Sequence, residues 1–255
     1  MKKTTWLAAC MAAVCALVTG CSSETDGPEE IRIVYDAGEW LIEGRTVLRY
    51  TGTETDVQVP DGVTVIGKHA FESRTAVAHV TLPDSVAVIE DYAFSDCTGL
   101  ADVKLPESVA MIGWYAFSGC ESLTEVTIPA KVTSIGQNAF SNCSGLKSVT
   151  IPASVKTIGS SAFNGCSSLT KVTIPESVTE IGQYAFSSCS KLTTVAIPVS
   201  VESIGYDAFY CSSLTEVTYG GTQAQWDKID KSWEIFPSRI STITGKDGVK
   251  INVGD

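Results

Sequence analysis

The chain has 255 residues, of which 44% are hydrophobic and 18% are charged, and its formal net charge at pH 7 is −11. This composition indicates a folded protein and excludes a predominantly disordered one. Acidic residues outnumber basic ones by 29 to 18, and such a surface repels phosphate backbones, which argues against nucleic acid as a partner.

Residues 1–21 have the pattern of a lipoprotein signal peptide. Lys2 and Lys3 form a short basic segment, and an uncharged run from Trp6 to Val18 follows, as in a secretory signal. The run ends in "LVTGC", and the small residues before Cys21 resemble the lipobox of bacterial lipoproteins, in which the cysteine is lipidated. An ordinary signal peptide or an uncleaved anchor is the alternative, although a spanning helix needs about 20 strongly apolar residues.

We therefore expect the mature chain to be held to a membrane of the cell envelope by lipid on Cys21, and to be exposed at the cell surface. Residues 22–30, "SSETDGPEE", are polar, acidic and interrupted by Gly-Pro, which predicts a flexible tether. Residues 31–56 contain "IRIVY", "EWLIEG" and "TVLRY", which predict short strands separated by turns at "DAG" and "GR". These strands are expected to cap the N-terminal end of the segment that follows.

Residues 57–219 consist of a 23-residue unit that occurs seven times without an insertion. Phenylalanine, proline and isoleucine each recur at this spacing, from Phe71 to Phe209, from Pro60 to Pro198 and from Ile66 to Ile204. A fixed period of this length indicates a solenoid, in which each coil buries its inner face only against its neighbours. We predict a repeat solenoid of seven coils, built mostly from short β-strands with short helical or 3₁₀ turns and capped at both ends.

The unit "LTEVTIPAKVTSIGQNAFSNCSG" shows how one coil is expected to fold. Val126 and Ile128 are two residues apart, which is the strand period, so both point inward while Thr127 points outward. Pro129 has no N–H for a ladder and therefore ends the strand. Gly136 is expected to permit a sharp bend, and the phenylalanine fills the centre of the coil. The two residues after the glycine vary from coil to coil, so we expect them to face water.

This unit resembles the BspA-like leucine-rich repeats of bacterial surface proteins, and the resemblance covers residues 57–219. There are two departures from the pattern: Glu90 replaces the glycine after Ile89, and Leu214 lies five positions after Phe209 instead of six. The second departure indicates that the solenoid ends there. The resemblance implies extracytoplasmic display and a role in protein binding or adhesion, and it names no ligand.

Residues 220–255 are expected to form the C-terminal cap. The segment "YGGTQAQWDKIDKSWEIF" places Trp226, Trp233 and Phe236 over the last coil, with a ligand platform as the alternative role for these tryptophans. The segment "RISTITGKDGVKINV" predicts a hairpin with Asp-Gly at its turn.

No catalytic or metal-binding pattern is found in the sequence. The two histidines, His69 and His79, lie at variable outward positions, and no phosphate loop, nucleophile elbow or zinc-protease motif occurs. One cysteine per coil is expected to stack in a column of buried, free thiols, although neighbouring coils are also close enough for disulfides. These six residues are Cys97, Cys120, Cys143, Cys166, Cys189 and Cys211. We therefore predict a non-enzymatic protein without a cofactor or a bound metal.

The outward positions of the repeated strand form the candidate partner-binding face. One column contains His79, Asp102, Glu125, Ser148, Lys171 and Thr194, and the neighbouring column contains Thr127, Thr150 and Thr173. Strands about 4.8 Å apart would turn these columns into a flat sheet suited to a protein partner. Threonine also suits any solvated strand, so the second column has a purely structural alternative.

Aromatic residues in the turn after the repeated isoleucine form a second candidate surface, a discontinuous patch suited to stacking on a glycan. These residues are Trp114, Tyr115, Tyr184 and Tyr206. The sequence thus favours a surface-anchored adhesin or receptor that binds an extracellular or host protein through the strand face. A glycan-binding surface protein and a structural envelope protein are the alternatives.

Overall fold

The computed structural model describes residues 34–36, 38–232 and 234–253. The predicted signal peptide, Cys21, the acidic tether and Trp233 lie outside these described residues. Among the helices within them, none has the length and apolar character that a membrane crossing requires.

Short β-strands, most of them parallel, account for nearly all the regular structure. In chain order they are β1 (Val34–Asp36), β2 (Trp40–Glu43), β3 (Thr46–Tyr50), β4 (Asp56–Gln58), β5 (Val65–Ile66), β6 (His79–Thr81), β7 (Val88–Ile89), β8 (Asp102–Lys104), β9 (Met111–Ile112), β10 (Glu125–Thr127), β11 (Ser134–Ile135), β12 (Ser148–Thr150), β13 (Thr157–Ile158), β14 (Glu180–Ile181), β15 (Thr194–Ile197), β16 (Ser203–Ile204), β17 (Glu216–Tyr219), β18 (Asp230–Lys231), β19 (Thr242–Thr244) and β20 (Lys250–Asn252). One α-helix, α1 (Gln223–Trp226), and one 3₁₀ turn, Lys246–Gly248, complete the described elements.

Each coil contributes one rung to each of two stacked ladders, which run along the two sides of a solenoid. The first ladder, which we call the strand face, contains β4, β6, β8, β10, β12, β15, β17 and β19, with Lys171 and Thr173 supplying single bridges between β12 and β15. The second ladder contains β3, β5, β7, β9, β11, β13, β14, β16 and β18. Equivalent residues of successive repeats pair with each other, as Ile135 does with Ile158.

The solenoid therefore has about nine turns and not the predicted seven. β4 (Asp56–Gln58) lies at the start of the repeats, and the flanking segments add β3 to the second ladder at the N-terminal end and one rung to each ladder, β18 and β19, at the C-terminal end. These outer turns also continue the aromatic core, because Tyr50 stacks against Phe71 and Phe236 stacks against Phe209. Tyr50 lies 21 residues before Phe71, and Phe236 lies 27 residues after Phe209. These two rings therefore do not follow the 23-residue period.

The core is a single column of repeated side chains. The seven phenylalanines are fully buried, and neighbouring rings stack with centroids from 4.8 to 5.5 Å apart. The expected alternation in the repeated strand is confirmed, since Glu125 and Thr127 are exposed on either side of buried Val126. The strand ends before Ile128 and Pro129, as predicted from the missing N–H of proline.

The turns that carry the phenylalanines are not helical, which corrects the expectation of helical or 3₁₀ turns. Ala139 donates its backbone N–H to the Gly136 carbonyl oxygen at 3.2 Å, and Ser141 donates to Asn138 at 3.1 Å. Asn138 and Asn142 adopt left-handed φ angles of 55° and 58°, and a right-handed helix cannot pass through such residues. Each coil therefore turns through linked β-turns.

The repeated glycine serves close packing between coils and not the sharp bend that was expected. Gly136 is not among the residues with positive φ. A Cβ atom on Gly136 would lie 3.0 Å from the Gly113 carbonyl oxygen, and one on Gly182 would lie 2.5 Å from the Ser160 nitrogen. Where Glu90 replaces the glycine, its carboxylate accepts a hydrogen bond from the Lys68 backbone N–H at 2.9 Å.

Both ends of the solenoid carry antiparallel strands. At the N-terminal end, β1, β2 and β3 form an antiparallel meander that joins the second ladder through β5. At the C-terminal end, β19 and β20 form the predicted hairpin, with Gly248 at its turn in a left-handed conformation. Trp226 and Phe236 are buried, which confirms them as core of the C-terminal cap.

Candidate binding surfaces

The strand face carries all nine residues predicted to contact a protein partner. Each of them is exposed to solvent: His79, Asp102, Glu125, Ser148, Lys171, Thr194, Thr127, Thr150 and Thr173. Register places them in the two predicted columns, because His79 pairs with Asp102, and Glu125 pairs with Ser148, which bridges to Lys171. The structure thus brings the predicted residues together on one side of the solenoid.

Three charged side chains in the middle of the strand face have no internal partner. Within the described residues, Asp102, Glu125 and Lys171 make no side-chain hydrogen bond and no ion pair. When such a charge pairs with an opposite charge on another protein, it loses bound water but breaks no intramolecular ion pair. The threonine side chains of the neighbouring column are short and β-branched, so the surface of the strand face is nearly flat there.

The aromatic turn residues form two separate groups. Tyr115 stacks on Tyr92 at 4.8 Å, and Tyr92 stacks on His69 at 4.9 Å, so three rings form one continuous stack that we call the aromatic ladder. Tyr184 and Tyr206 form a second contact, edge to face at 5.5 Å. Asn138 and Ser161 occupy the ladder position in the coils between, which accounts for the discontinuity expected from the sequence.

The two variable residues after the glycine differ in exposure, which corrects the expectation that both face water. Trp114 is 59% exposed, whereas Tyr115 is half-buried in the aromatic ladder. The second position is left-handed in every repeat, with φ of 56° at Tyr115 and 60° at His69. His69, which was expected at a solvated position equivalent to that of Tyr115, is exposed and also stacks in the ladder.

Tyr206 is tied to the C-terminal cap. Its hydroxyl donates to a Glu234 carboxylate oxygen at 3.0 Å. This hydrogen bond is the main reason that the pKa of Tyr206 rises to about 12, with desolvation as a smaller cause. Tyr206 and Tyr184 therefore support the last repeat and are less free to meet a ligand than Trp114.

The six repeat cysteines form a buried column of free thiols. Each Sγ donates to the carbonyl oxygen of a phenylalanine in the preceding coil, as Cys143 does to Phe117 at 3.1 Å. Burial raises the pKa of the Cys97 and Cys143 thiols to about 12, far above a pKa that would make a thiol nucleophilic. These two thiols are therefore packing groups, whereas the pKa of Cys211, at the C-terminal end of the column, is lowered by its hydrogen bond with the Cys189 thiol.

In the described part of the chain, no group of three or more His, Cys, Asp or Glu residues could hold a metal ion. Two cavities of about 310 and 320 Å³ lie near opposite ends of the solenoid. The first is lined by residues of the C-terminal cap and the last repeats, including Tyr219 and Lys228. The second lies against the N-terminal cap and includes Arg49 and Arg74, which the sequence analysis did not single out.

Comparison with known families supports the repeat assignment. A family model described as "BspA type Leucine rich repeat region" matches six copies over residues 45–156 and 111–233. Curated proteins provide no match to the chain.

Solved structures show the same fold. A leucine-rich repeat protein from Bacteroides ovatus ATCC 8483 is 23% identical, with a TM-score of 0.63 over 82% of this chain and 67% of that chain. One from Eubacterium ventriosum ATCC 27560 is also 23% identical, with a TM-score of 0.58 over 82% of this chain and 52% of that chain. This chain thus spans between half and two-thirds of those proteins, and at this identity the likeness concerns the fold alone.

Proposed function

Because the chain belongs to the BspA-type leucine-rich repeat family, we propose that it is a non-enzymatic binding protein of the cell surface that engages another protein through its strand face. The partner is an extracellular or host protein, as expected of an adhesin or receptor. Lipid on Cys21 anchors the chain to the membrane in this proposal, and residues 22–30 hold the solenoid away from it.

The observation that carries this proposal is the strand face, in which the sheets β4-β6-β8, β10-β12 and β15-β17-β19 follow one another along the solenoid with their outward residues exposed. Nine rungs at a spacing of about 4.8 Å give a surface about 38 Å long. In each three-residue strand the two outward residues lie about 7 Å apart along the strand, which sets the width of the surface. A standard interface covers about 800 Å² on each partner. The partner must therefore also contact residues beside the strands, such as Thr124 and Lys147, which are exposed next to the columns.

The experiment compares binding of a candidate surface protein to two double variants that both preserve net charge. Glu125→Ala with Lys171→Ala removes one charge of each sign from the strand face. Glu121→Ala with Lys131→Ala removes the same charges from exposed positions away from the strand face. We expect the first pair to weaken binding at least tenfold and the second pair to leave it unchanged. Equal effects of the two pairs would contradict the assignment of the site.

A glycan-binding function is the second candidate, because Trp114 is 59% exposed beside the stacked Tyr115. Exposed aromatic rings pack against the apolar faces of sugars. Changing Trp114 and Tyr115 to Ser tests this function without disturbing the coil, since Ser160 and Ser161 occupy the same two positions in another repeat. Loss of binding in this variant, with binding kept in the Glu125 and Lys171 variant, would favour the glycan.

A further inference from the structure

The cavity of about 320 Å³ at the N-terminal end lies where β3 meets the first repeat. Its volume falls at the lower end of the range for small-molecule sites, about 300–1,000 Å³. It is separate from the strand face, because its lining comes from β3 and from the turn after β5. The proposed protein-binding function does not use it.

The lining of this cavity is positively charged in an otherwise acidic protein. Arg49, Lys68 and Arg74 line it together with a single carboxylate, that of Glu72. Glu72 is already engaged by His69, whose Nδ1 lies 3.0 Å from its Oε2. Only five arginines occur in the chain, and two of them meet here, so the cavity concentrates the groups that bind carboxylates best.

Two buried polar atoms in the lining have no hydrogen-bond partner. They are the hydroxyl of Tyr50, a residue only 1% exposed, and the Nε of Arg74. Only four such side-chain atoms occur among the described residues, and this one cavity accounts for half of them. Buried polar groups in proteins are almost always hydrogen-bonded, and an exception calls for an explanation such as a missing ligand. The Nε of Arg74 can only donate, so its missing partner is an acceptor, whereas the Tyr50 hydroxyl can donate or accept and has the backbone N–H of Glu54 near it.

An aromatic surface adjoins the charged lining. His69 lies at the N-terminal end of the aromatic ladder, with Tyr92 stacked at 4.9 Å on the side of the next repeat. His69 also lines the cavity, and its side chain is 43% exposed. An imidazole face offers a packing surface for the C–H groups of a sugar ring, and the arginines beside it offer donors for an acid group.

We propose that this cavity reversibly binds the carboxylate of an acidic sugar residue. Arg49 and Arg74 hold the carboxylate, the Tyr50 hydroxyl donates to a ring or hydroxyl oxygen, and His69 packs against the sugar ring. Three cations against one carboxylate leave a local charge of +2, which attracts anions, and the His69 ring favours an anion carried on a sugar ring over a free inorganic anion. The site and the strand face are independent.

Isothermal titration calorimetry with the full chain tests the proposal. The probes are the methyl glycosides of glucuronic and galacturonic acid and N-acetylneuraminic acid, with methyl glucoside as the neutral counterpart and sodium sulfate as a plain anion. We expect at least one acidic sugar to bind at least tenfold more tightly than methyl glucoside and than sulfate. Binding weakens as salt is added, because the attraction is electrostatic.

The matched variants are Arg49→Gln with Arg74→Gln, and Lys147→Gln with Lys156→Gln, which remove the same charge from exposed positions in distant coils. We expect the arginine pair to lower affinity for the acidic sugar at least tenfold and the lysine pair to leave it within twofold. If the arginine pair fails to fold, Arg49→Gln alone serves, since Arg49 is exposed and makes no side-chain hydrogen bond among the described residues.

Three outcomes would overturn the proposal: no acidic sugar binds, methyl glucoside or sulfate binds as tightly, or the lysine pair weakens binding as much as the arginine pair. Variants of Glu125 and Lys171 are expected to bind the acidic sugar normally. Failure at this cavity therefore leaves the strand-face function untouched, and the reverse is also true.

Discussion

The ring of Phe140 stacks on that of Phe117 with centroids 5.3 Å apart and an angle of 2° between their planes. The same ring lies 5.5 Å from Phe163 on its other side. Each phenylalanine is thus held by one neighbour in each adjacent coil, and the stability of a coil depends on both of its interfaces.

Replacing Phe140 with Ala is expected to lower the free energy of unfolding by about 3–5 kcal/mol, because the substitution opens a cavity in a fully buried column. Gln137→Ala, on the exposed surface of the same coil, is the control and should change the free energy by less than about 0.5 kcal/mol. Urea unfolding followed by circular dichroism measures both variants. A loss below about 1 kcal/mol for Phe140→Ala would mean that neighbouring coils close the gap.

The left-handed position provides a matched pair of glycine substitutions in one turn. Ser161 has a φ of 56°, whereas Ser160 beside it is not among the residues with positive φ. Ser161→Gly should raise the free energy of unfolding by up to about 1 kcal/mol, because glycine adopts this conformation without strain. Ser160→Gly should lower it by about 0.5–1 kcal/mol through chain entropy. Thermal unfolding should therefore shift in opposite directions, and a shift of the same sign in both would contradict the assignment.

The repeat cysteines are expected to resist alkylation in the folded protein. Their thiols are buried, and each donates a hydrogen bond to a backbone carbonyl, as Cys166 does to Phe140 at 3.2 Å. Iodoacetamide at pH 8, followed by mass spectrometry, should modify none of the six in the native chain and all six after unfolding without reductant. Fewer than five modified thiols in the unfolded chain would point to disulfides in place of a free column.

The raised thiol pKa values make stability depend on pH in the alkaline range. Cys143 has a pKa of about 12 in the folded state because of burial, against an ordinary value of 9.0. Below pH 9 both states keep the proton and its stabilising effect is fully present. Above pH 9 the unfolded chain releases the proton while the folded chain keeps it, so stability falls by up to about 1.4 kcal/mol per pH unit for this group.

Cys143→Ala isolates this effect from the titration of lysines and tyrosines. The variant should be less stable than the parent protein at pH 8, since it lacks a buried thiol, and the difference should shrink as pH rises from 9 to 12. Unfolding midpoints of both proteins at several pH values measure the difference. A difference that stays constant across this range would show that the folded thiol ionises as readily as the unfolded one.

Anchoring through Cys21 is a prediction from the sequence alone. Cys21→Ser removes the thiol that would carry lipid, so we expect the protein to move from the membrane fraction to the soluble fraction after cell disruption. Cys143→Ser, which changes a cysteine of the repeat, is the control and should leave the membrane association unchanged. A Cys21→Ser protein that is still acylated and sediments with membranes would contradict lipidation at this residue.

The strand face could be predicted from the sequence because it depends on two strict periods. Alternation places Glu125 and Thr127 on one side of Val126, and the 23-residue step stacks them in register with Ser148 and Thr150. Neither feature depends on the identity of the outward side chain. The first column was therefore predictable even though its members share no residue type.

The outer turns and the left-handed residues could not be predicted in the same way. Tyr50 and Phe236 continue the aromatic core. Because their spacing from the repeated phenylalanines is irregular, only the pairing of the neighbouring strands shows that they belong to it. The left-handed position holds Tyr115, Asn138 and Ser161 in successive coils. Its conformation is imposed by packing of the coil and not by a preference of these side chains, so no residue pattern signals it.

The N-terminal cavity had no sequence signal because its groups come from separate segments. Arg49 belongs to a cap strand and Arg74 follows the first phenylalanine turn, and no spacing rule connects a cap to a repeat. Only the pairing of β3 with β5 places the two side chains around one space. A site of this kind depends on how the N-terminal cap packs against the first repeat. The 23-residue period of the sequence carries no information about that packing.

The backbone hydrogen bonds between coils, such as that from Phe140 N–H to the Ala162 carbonyl at 2.8 Å, are directed from one coil to the next along the stack. A pulling force along the stack therefore loads these bonds in series, and the weakest coil interface opens first. Each coil that detaches releases about 80 Å of extended chain, which relaxes the tension on the coils that remain. A protein tethered to a cell at one end and holding a partner on its strands would yield to shear one coil at a time, and would rewind when the load is removed.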